Sequence, residues 1–135
     1  MVCVLPAQHP LTQQAVVRWQ DIAPRELIFI TTDVRMVAMI AEVVSEFRQR
    51  QVAAVETNRY SMAINLVRHG NGVTIVDRFS LQGIDTAGLA VRPFRPALQV
   101  SVVAVTDRRS VMFPTREAFA EAMKTVMAES AGVVI

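Results

Sequence analysis

The chain has 135 residues, about the length of one domain, and its composition of 52% hydrophobic and 19% charged residues is ample for a folded core. This composition excludes a disordered chain, and it excludes a membrane span because polar residues interrupt every apolar stretch before the roughly 18 consecutive positions that a span requires. The formal net charge of +2 comes from scattered arginines without interleaved aromatic residues, which argues against a nucleic-acid surface on this chain.

The first residues predict a strand. Val2 to Leu5 are apolar, and Pro6 ends the run. Cys3 lies inside this run and is the only cysteine, so we expect a small core residue rather than a nucleophile. The segment has neither a basic leader nor an apolar run of signal-peptide length, and a reducing cytoplasm is the expected setting.

The segment from Glu26 to Val76 alternates between strand and helix patterns. β-Branched and aliphatic runs predict strands, and apolar residues at three- and four-residue spacing predict helices. The predicted elements are a strand at Glu26 to Ile30, a helix at Val34 to about Arg50, a strand at Ala53 to Glu56, a helix at Tyr60 to His69 and a strand at Val73 to Val76. Crossovers between such strands are right-handed in nearly all cases, so the pattern predicts a small parallel α/β unit.

The second predicted helix has a broad apolar surface, which consists of Met62, Ala63, Ile64, Leu66 and Val67. Gly70 then occupies the left-handed position that ends many helices. The run after Gly72 lacks amphipathic spacing, which is typical of a strand buried on both faces. Both glycines lie between a helix and the following strand, which is the wrong end of a βαβ unit for a phosphate loop.

Beyond Asp77 the pattern is less regular. A strand is predicted at Leu89 to Phe94, and we expect Pro93 to confine it to an edge of the sheet or to end it. The longest strand candidate is Gln99 to Thr106. Pro114 begins the last helix, and a tail is expected from residue 128 to residue 135. The predicted apolar stripe of that helix is Phe119, Met123, Val126 and Met127.

Residues for catalysis or metal binding are sparse. His9 lies in a proline-flanked connection and His69 near a helix C-terminus, and neither has a cysteine or a second histidine at metal-ligand spacing. No residue pattern pairs a nucleophile with a base. We therefore expect a protein that is not an enzyme, with no metal and no cofactor.

Polar residues follow three of the predicted strands: Thr31 and Thr32, Asn58 and Tyr60, and Asp77. In open α/β sheets, ligands sit beyond the carboxyl ends of the strands. Helix N-termini there have free backbone donors that suit a carboxylate or another anion. Two interpretations stay open: these residues line a ligand cleft, or they only cap the helices that they precede.

The order of these motifs resembles the effector-binding domain of LysR-type transcriptional regulators. The resemblance rests on His9-Pro10-Leu11 just after a strand and on the pattern LV-x-x-G-x-G-V-x-I-V from Leu66 to Val76. It extends from Val2 to about Val126. The ending Val76-Asp77-Arg78-Phe79 also looks like the branch of this family that senses amino acids and opines, although that branch commonly has proline where Arg78 stands.

The resemblance implies an α/β fold like that of type 2 periplasmic binding proteins, in which crossover strands join two subdomains. It assigns residues 1–127 to a truncated effector-binding domain. One complete βαβ subdomain occupies residues 26–94, and residues 1–25 and 95–127 supply crossovers and part of the other subdomain, whose first half is absent. The winged helix-turn-helix of the family is also absent, so DNA is expected as a partner only through a domain that this chain lacks.

The function implied by the resemblance is the sensing of a small metabolite by a bacterial transcriptional regulator in the cytoplasm. Thr31, Thr32, Asn58, Tyr60 and Asp77 are the expected residues of the inducer cleft on this side. An amino acid or a derivative would place its carboxylate on the hydroxyl, amide and helix N-terminal groups and its ammonium group near Asp77. The other implied partners are further copies of the chain.

Two other classes of function are open. The chain can instead be a free-standing module that binds a small molecule or associates with itself, and a small enzyme is the third class. Self-association is expected in any case, because the strand from Gln99 to Thr106 and the helix after Pro114 would otherwise expose apolar surface and unpaired strand edges.

Overall fold

The computed structural model describes residues 1–31, 37–38, 41, 53–98, 105 and 114–131. The chain divides into two compact units, Met1–Val100 and Ser101–Ile135. The predicted helix from Val34 to Arg50 and the predicted strand from Gln99 to Thr106 lie largely outside the described residues.

The first unit is built on a mixed sheet of six strands in the order β2-β6-β1-β5-β3-β4. The strands are β1 (Val2–Pro6), β2 (Val17–Arg18), β3 (Leu27–Ile30), β4 (Val55–Thr57), β5 (Val73–Val76) and β6 (Leu89–Arg95). Short 3₁₀ helices occur at Pro10–Gln13, Trp19–Asp21, Pro24–Glu26 and Phe79–Leu81. The predicted α/β fold class is confirmed.

Strands β5, β3 and β4 form the predicted parallel unit. Ile28 of β3 is paired with Thr74 of β5, and Ile30 of β3 is paired with Thr57 of β4. Strand β1 is antiparallel to both of its neighbours, β5 and β6, whereas β2 is parallel to β6. Among the described strands β1 is therefore the only one that runs against the rest.

Strand β5 lies in the middle of the core and is buried along its whole length. This confirms the prediction of a strand covered on both faces. Thr74 is the one polar side chain of the described part that is fully buried, and its hydroxyl donates to the carbonyl oxygen of Ile28 over 2.9 Å. The hydrogen bond satisfies a polar group that would otherwise be costly to bury.

Helix α1 (Tyr60–Arg68) packs on the sheet through Ala63, Ile64 and Val67, as the apolar spacing predicts. The prediction for Met62 is wrong, because 52% of this residue is exposed. Each helical residue turns the chain by about 100°, so Met62 points away from the stripe that its apolar neighbours form.

The end of helix α1 has the predicted left-handed glycine. Gly70 has φ +77°, its N–H donates to the carbonyl of Val67, and the N–H of Asn71 donates to the carbonyl of Leu66. This pair of bonds is the Schellman motif, which satisfies two carbonyl groups that the last helical turn leaves without partners.

Strand β6 differs from the prediction at Pro93. The strand passes through this proline to Arg95 and lies inside the sheet, between β2 and β1. The Phe94 N–H donates to the carbonyl of Met1, so the backbone nitrogen of Pro93 faces the other side, where β2 pairs only with Phe94 and Arg95. The missing proline N–H therefore costs the sheet no ladder bond at that position.

In the second unit, helix α2 (Pro114–Ala131) begins at the predicted proline. It extends into the segment predicted as a tail. Large apolar side chains on its surface are exposed, and these are Phe119, Met123 and Val126. These three residues belong to the apolar stripe that the sequence predicts for this helix.

Candidate functional site

The carboxyl ends of three parallel strands meet at one edge of the sheet. Continued past the strand ends, the β3–β4 register aligns Thr31 with Asn58, and the β3–β5 register aligns Thr31 with Asp77. Adjacent strands are about 4.8 Å apart, so these three residues lie in a row roughly 10 Å long with Thr31 in the middle. The structure thus brings together three residues that are far apart in the sequence.

Thr31 and Thr57 tie the ends of β3 and β4 together. Both the backbone N–H and the hydroxyl of Thr31 donate to the carbonyl oxygen of Thr57, over 2.9 and 3.3 Å. The Thr57 hydroxyl oxygen in turn accepts from the Arg59 N–H over 3.3 Å. Thr31 is exposed, and its hydroxyl oxygen can still accept a hydrogen bond from a ligand.

The two predicted residues at the beginning of α1 differ in their surroundings. Asn58 is exposed at the end of β4, whereas Tyr60 is half-buried and its ring packs against the core. The remaining predicted site residue, Thr32, lies outside the described residues.

Asp77 caps the 3₁₀ helix that follows β5. One carboxylate oxygen accepts from the Ser80 N–H over 2.8 Å, and the other accepts from the Ser80 hydroxyl over 2.5 Å. The capping interpretation is therefore correct for this residue. The cap does not exclude a ligand, because each carboxylate oxygen has a second lone pair and Asp77 is only half-buried.

The amine of Met1 lies at the same edge. The β1–β5 register, continued by one residue, aligns Met1 with Asp77, and the amine donates to the carbonyl of Leu98 over 3.4 Å. Burial lowers the pKa of this amine, the negative charge of Asp77 opposes the shift, and the positive charge of Arg78 adds to it. The charges of Asp77 and Arg78 therefore both affect the Met1 amine at this end of the edge.

Two arginines at this edge escaped the sequence prediction. Arg59 precedes helix α1 and Arg78 precedes the 3₁₀ helix Phe79–Leu81, and both are exposed. The sequence had offered a signal, because each arginine follows directly after a predicted site residue, Asn58 or Asp77. Scattered spacing along the chain made them look like ordinary solvated surface.

Both histidines and the cysteine contact other parts of the fold, and the core position predicted for Cys3 is confirmed. The Nδ1 atom of His9 accepts from the Leu11 N–H over 3.2 Å, so the proton is on Nε2, which lies 3.8 Å from a carboxylate oxygen of Glu26. His69 Nδ1 lies 2.8 Å from the carbonyl oxygen of Asn65. Cys3 is fully buried, and burial raises the pKa of its thiol to about 12.

Chemically, the described residues of this edge can form hydrogen bonds and ion pairs with a ligand. It offers hydroxyl and amide groups, backbone donors of a helix N-terminus, one carboxylate and two guanidinium groups. No group of three or more histidine, cysteine, aspartate or glutamate residues in the described part of the chain is placed to hold a metal ion. Nor does any helix among those residues have the length and apolarity to cross a membrane.

The family model of the LysR substrate binding domain matches residues 1–128. The chain belongs to this family. LysR substrate-binding domains are regulatory, ligand-sensing parts of transcriptional regulators and are not catalytic. The predicted family is thus confirmed.

Individual relatives agree with the family assignment. The transcriptional activator protein LysR of Escherichia coli strain K12 is 27% identical over 101 residues, which are 75% of this chain and 32% of that protein. The crystal structure of HinK, a LysR family regulator of Pseudomonas aeruginosa, has a TM-score of 0.66 at 16% identity and covers 91% of this chain and 44% of HinK. The effector-binding domain of BenM with its effector benzoate has a TM-score of 0.53 at 18% identity, covering 99% of this chain and 62% of that domain.

The two structural neighbours show the same fold as this LysR-family domain. The chain spans about a third of the length of the Escherichia coli regulator and less than half of HinK.

Proposed function

We propose that this LysR-family domain senses a small metabolite at the carboxyl edge of its sheet, through Thr31, Thr32, Asn58, Tyr60 and Asp77. The observation that carries the proposal is the strand register, which aligns Thr31 with both Asn58 and Asp77. Ligands of open α/β sheets sit at such edges. The family supports a ligand in general, and these residues supply hydrogen-bonding groups for it.

An amino acid or a derivative of one is the proposed ligand, as in the amino-acid and opine branch of the family. Its carboxylate would bind the Asn58 amide and the first backbone N–H groups of α1, and the Thr31 hydroxyl oxygen, whose proton goes to Thr57, would accept a hydrogen bond from a donor of the ligand. Its ammonium group would lie beside Asp77, which keeps acceptor capacity next to Ser80. The benzoate of BenM is likewise a carboxylate, and this agreement supports the carboxylate part of the proposal.

In the complete regulator, we expect the ligand to lie between two subdomains. Residues 26–94 would form one of them, and residues 1–25 and 95–127 would contribute crossovers and part of the other. Ligand binding would stabilise one relative orientation and change the oligomer that positions a separate DNA-binding domain. A cytoplasmic setting follows from this role.

Titration of the ¹⁵N-labelled chain tests the proposal. Amino acids of different charge are added at millimolar concentration, and amide shifts are followed by NMR. The expected result is that shifts concentrate at Thr31, Asn58 and Asp77. The matched variants are Asp77→Ala, which removes the proposed contact and both capping hydrogen bonds, and Ser80→Ala, which removes only the hydrogen bond from the Ser80 hydroxyl and keeps the one from its backbone N–H. Equal affinities in the chain with and without the Asp77 carboxylate would exclude this residue from the site.

Self-association without a DNA-binding partner is the second proposal, and the exposed stripe of Phe119, Met123 and Val126 favours it. The two proposals differ in genomic context. A reading frame for a helix-turn-helix that continues into this sequence supports the regulator, whereas an independent gene supports the free-standing module.

A further inference from the structure

Asn71 is followed by glycine at the turn between helix α1 and strand β5. Its side chain is exposed, and it belongs to neither the helix nor the strand. The other asparagines of the chain differ, because Asn58 is followed by arginine and Asn65 is followed by leucine inside α1. Asn71 therefore has the least hindered backbone nitrogen after it.

An asparagine before glycine is chemically reactive. The backbone nitrogen of the next residue attacks the side-chain carbonyl carbon, its proton passes to the amide nitrogen, and ammonia leaves behind a cyclic succinimide. Water then opens the ring at either carbonyl group and gives aspartate or isoaspartate. A side chain on the attacking residue hinders the first step, and glycine has none. Asparagine is accordingly counted among the thermolabile residues.

The fold requires glycine after Asn71. Gly72 has φ +139°, a backbone conformation that residues with a side chain rarely adopt. It also lies against the backbone of Glu26, where a Cβ atom has no room. The chain therefore cannot slow the reaction by placing a larger residue at position 72.

A weak contact holds the Asn71 amide. Its Nδ2 atom donates to the carbonyl oxygen of Leu66 over 3.3 Å, which is longer than the usual range of about 2.7–3.2 Å. The same carbonyl oxygen already accepts from the Asn71 backbone N–H over 3.0 Å. Releasing the side chain thus leaves this carbonyl with a partner, and the amide can turn toward the Gly72 nitrogen.

We propose that Asn71 deamidates spontaneously in the folded protein and that the acid it forms weakens the end of helix α1. The carboxylate of an aspartate has no N–H, so it cannot donate to Leu66. It also brings a negative charge to a helix C-terminus, which has a partial negative charge of its own. Isoaspartate in addition places its β-carbon in the main chain, which lengthens the connection between Gly70 and Gly72.

The basic residue in the last turn of α1 is Arg68. Its guanidinium group already donates to the side-chain oxygen of Asn65 over 2.9 Å and to the carbonyl oxygen of Asp85. Turning this group toward a new carboxylate at position 71 would break existing hydrogen bonds. We therefore expect Arg68 to offset little of the added charge.

The modification would affect strand β5 as well. This strand begins at Val73, directly after the reactive pair, and ends at Val76, next to Asp77. Val73 is paired with Leu27 of β3, so a longer connection before it strains the start of the parallel pair. The deamidated chain should be less stable whether or not a ligand binds near Asp77.

Incubation of the folded chain in mildly alkaline buffer tests the reaction, with the urea-unfolded chain incubated in parallel. Peptide mapping by mass spectrometry locates the acid, and isoelectric focusing follows the loss of one unit from the formal net charge of +2. We expect conversion at Asn71 in the folded chain, with Asn58 and Asn65 as internal controls that stay intact. Asn71→Gln keeps an amide but needs a larger ring, so position 71 should stay unmodified in this variant.

Two results would overturn the assignment of the site. If Asn71 converts in the unfolded chain but not in the folded one, the fold blocks the reaction. If Asn58 or Asn65 converts as fast as Asn71 in the folded chain, the turn before β5 is not what makes an asparagine reactive.

A pair of variants tests the effect on the helix end. Asn71→Asp supplies one product directly, and Asn71→Ala removes the amide without adding a charge. Urea denaturation should give the lower midpoint for Asn71→Asp, and the difference should shrink in high salt, which screens the added charge. Equal midpoints would show that the acid does not weaken the helix end, and a difference that salt leaves unchanged would show that charge is not the cause.

Discussion

The backbone of Gly72 lies against the carbonyl group of Glu26. A Cβ atom at position 72 would stand only 2.2 Å from the Glu26 oxygen, and the glycine has φ +139°. Residues other than glycine rarely adopt this backbone conformation, and the Glu26 oxygen belongs to the backbone, which cannot easily move. Gly72 is therefore required where the chain leaves α1 and enters β5 beside the beginning of β3.

A Gly72→Ala variant should lose about 3 kcal/mol or more of the free energy of unfolding, because it combines a steric clash with a strained backbone. Gly70→Ala is the matched control. Gly70 has φ +77° with no atom within 4 Å of a built Cβ, so it should cost only about 1 kcal/mol. Urea denaturation followed by circular dichroism measures both. Equal losses would mean that the contact with Glu26 is not what requires glycine.

Thr74 is expected to stabilise the parallel pair through its hydroxyl. Thr74→Val keeps the branched shape but removes the donor to Ile28, and should cost about 1 kcal/mol of unfolding free energy. Thr86→Val is the control, because Thr86 is exposed, and it should change stability by less than about 0.5 kcal/mol. Both are measured by urea denaturation, and a neutral Thr74→Val would show that the buried bond adds nothing.

The buried thiol of Cys3 should make the protein less stable in alkali. Its pKa is about 12 in the folded protein against 9.0 for an ordinary thiol, so the unfolded chain releases this proton at lower pH than the folded one. Stability is therefore lost as pH rises above 9.0, by about 1.4 kcal/mol for each further pH unit until the folded pKa is reached.

Cys3→Ala lacks this proton, so it serves as the reference. Unfolding free energies measured at about pH 8 and about pH 10.5 should show the wild-type advantage over the variant shrinking by about 2 kcal/mol. The thiol should also resist alkylation by iodoacetamide in the folded protein and react once urea unfolds it. Rapid alkylation of the native protein would mean that Cys3 is accessible.

The exposed stripe of α2 should lead to self-association. Phe119 is 67% exposed and Val126 53% exposed, and they follow one side of the helix with Met123. Phe119→Lys should reduce the mass measured by light scattering at micromolar concentration, whereas Thr125→Lys, on the other side, should not. A wild-type chain that is monomeric and melts cooperatively under these conditions would contradict the expectation.

The sequence predicted most of the fold because its central strands are mainly apolar and because glycine and proline mark several of its turns. The four buried residues of β5 and the left-handed Gly70 are examples, since a buried strand favours β-branched apolar residues and a positive φ favours glycine. The prediction that Met62 lies on the buried face of α1 was wrong, because consecutive apolar residues cannot all face one side of a helix. The prediction that Pro93 would end its strand or confine it to an edge was also wrong. A proline disturbs a sheet only where its nitrogen faces a neighbour that needs a donor, and this depends on the order of the strands.

For the site, the sequence predicted the strand ends but not their charge. The alignment of Thr31 with Asn58 and Asp77 follows once the sheet is known to be parallel there. The position of Arg59 and Arg78 at the same edge could not be read from spacing, because they are 19 positions apart in the chain and come to that edge only through the sheet.

The reversed direction of β1 brings the end of β6 to the same edge of the sheet as the proposed ligand site. Since β1 runs against its neighbours, its first residue lies beside the last residues of β6, and the Phe94 N–H is bonded to the Met1 carbonyl there. The segment after Arg95 thus departs from the sheet at the same edge as Asp77. A molecule bound beside Asp77 would therefore lie at the edge where the chain leaves β6.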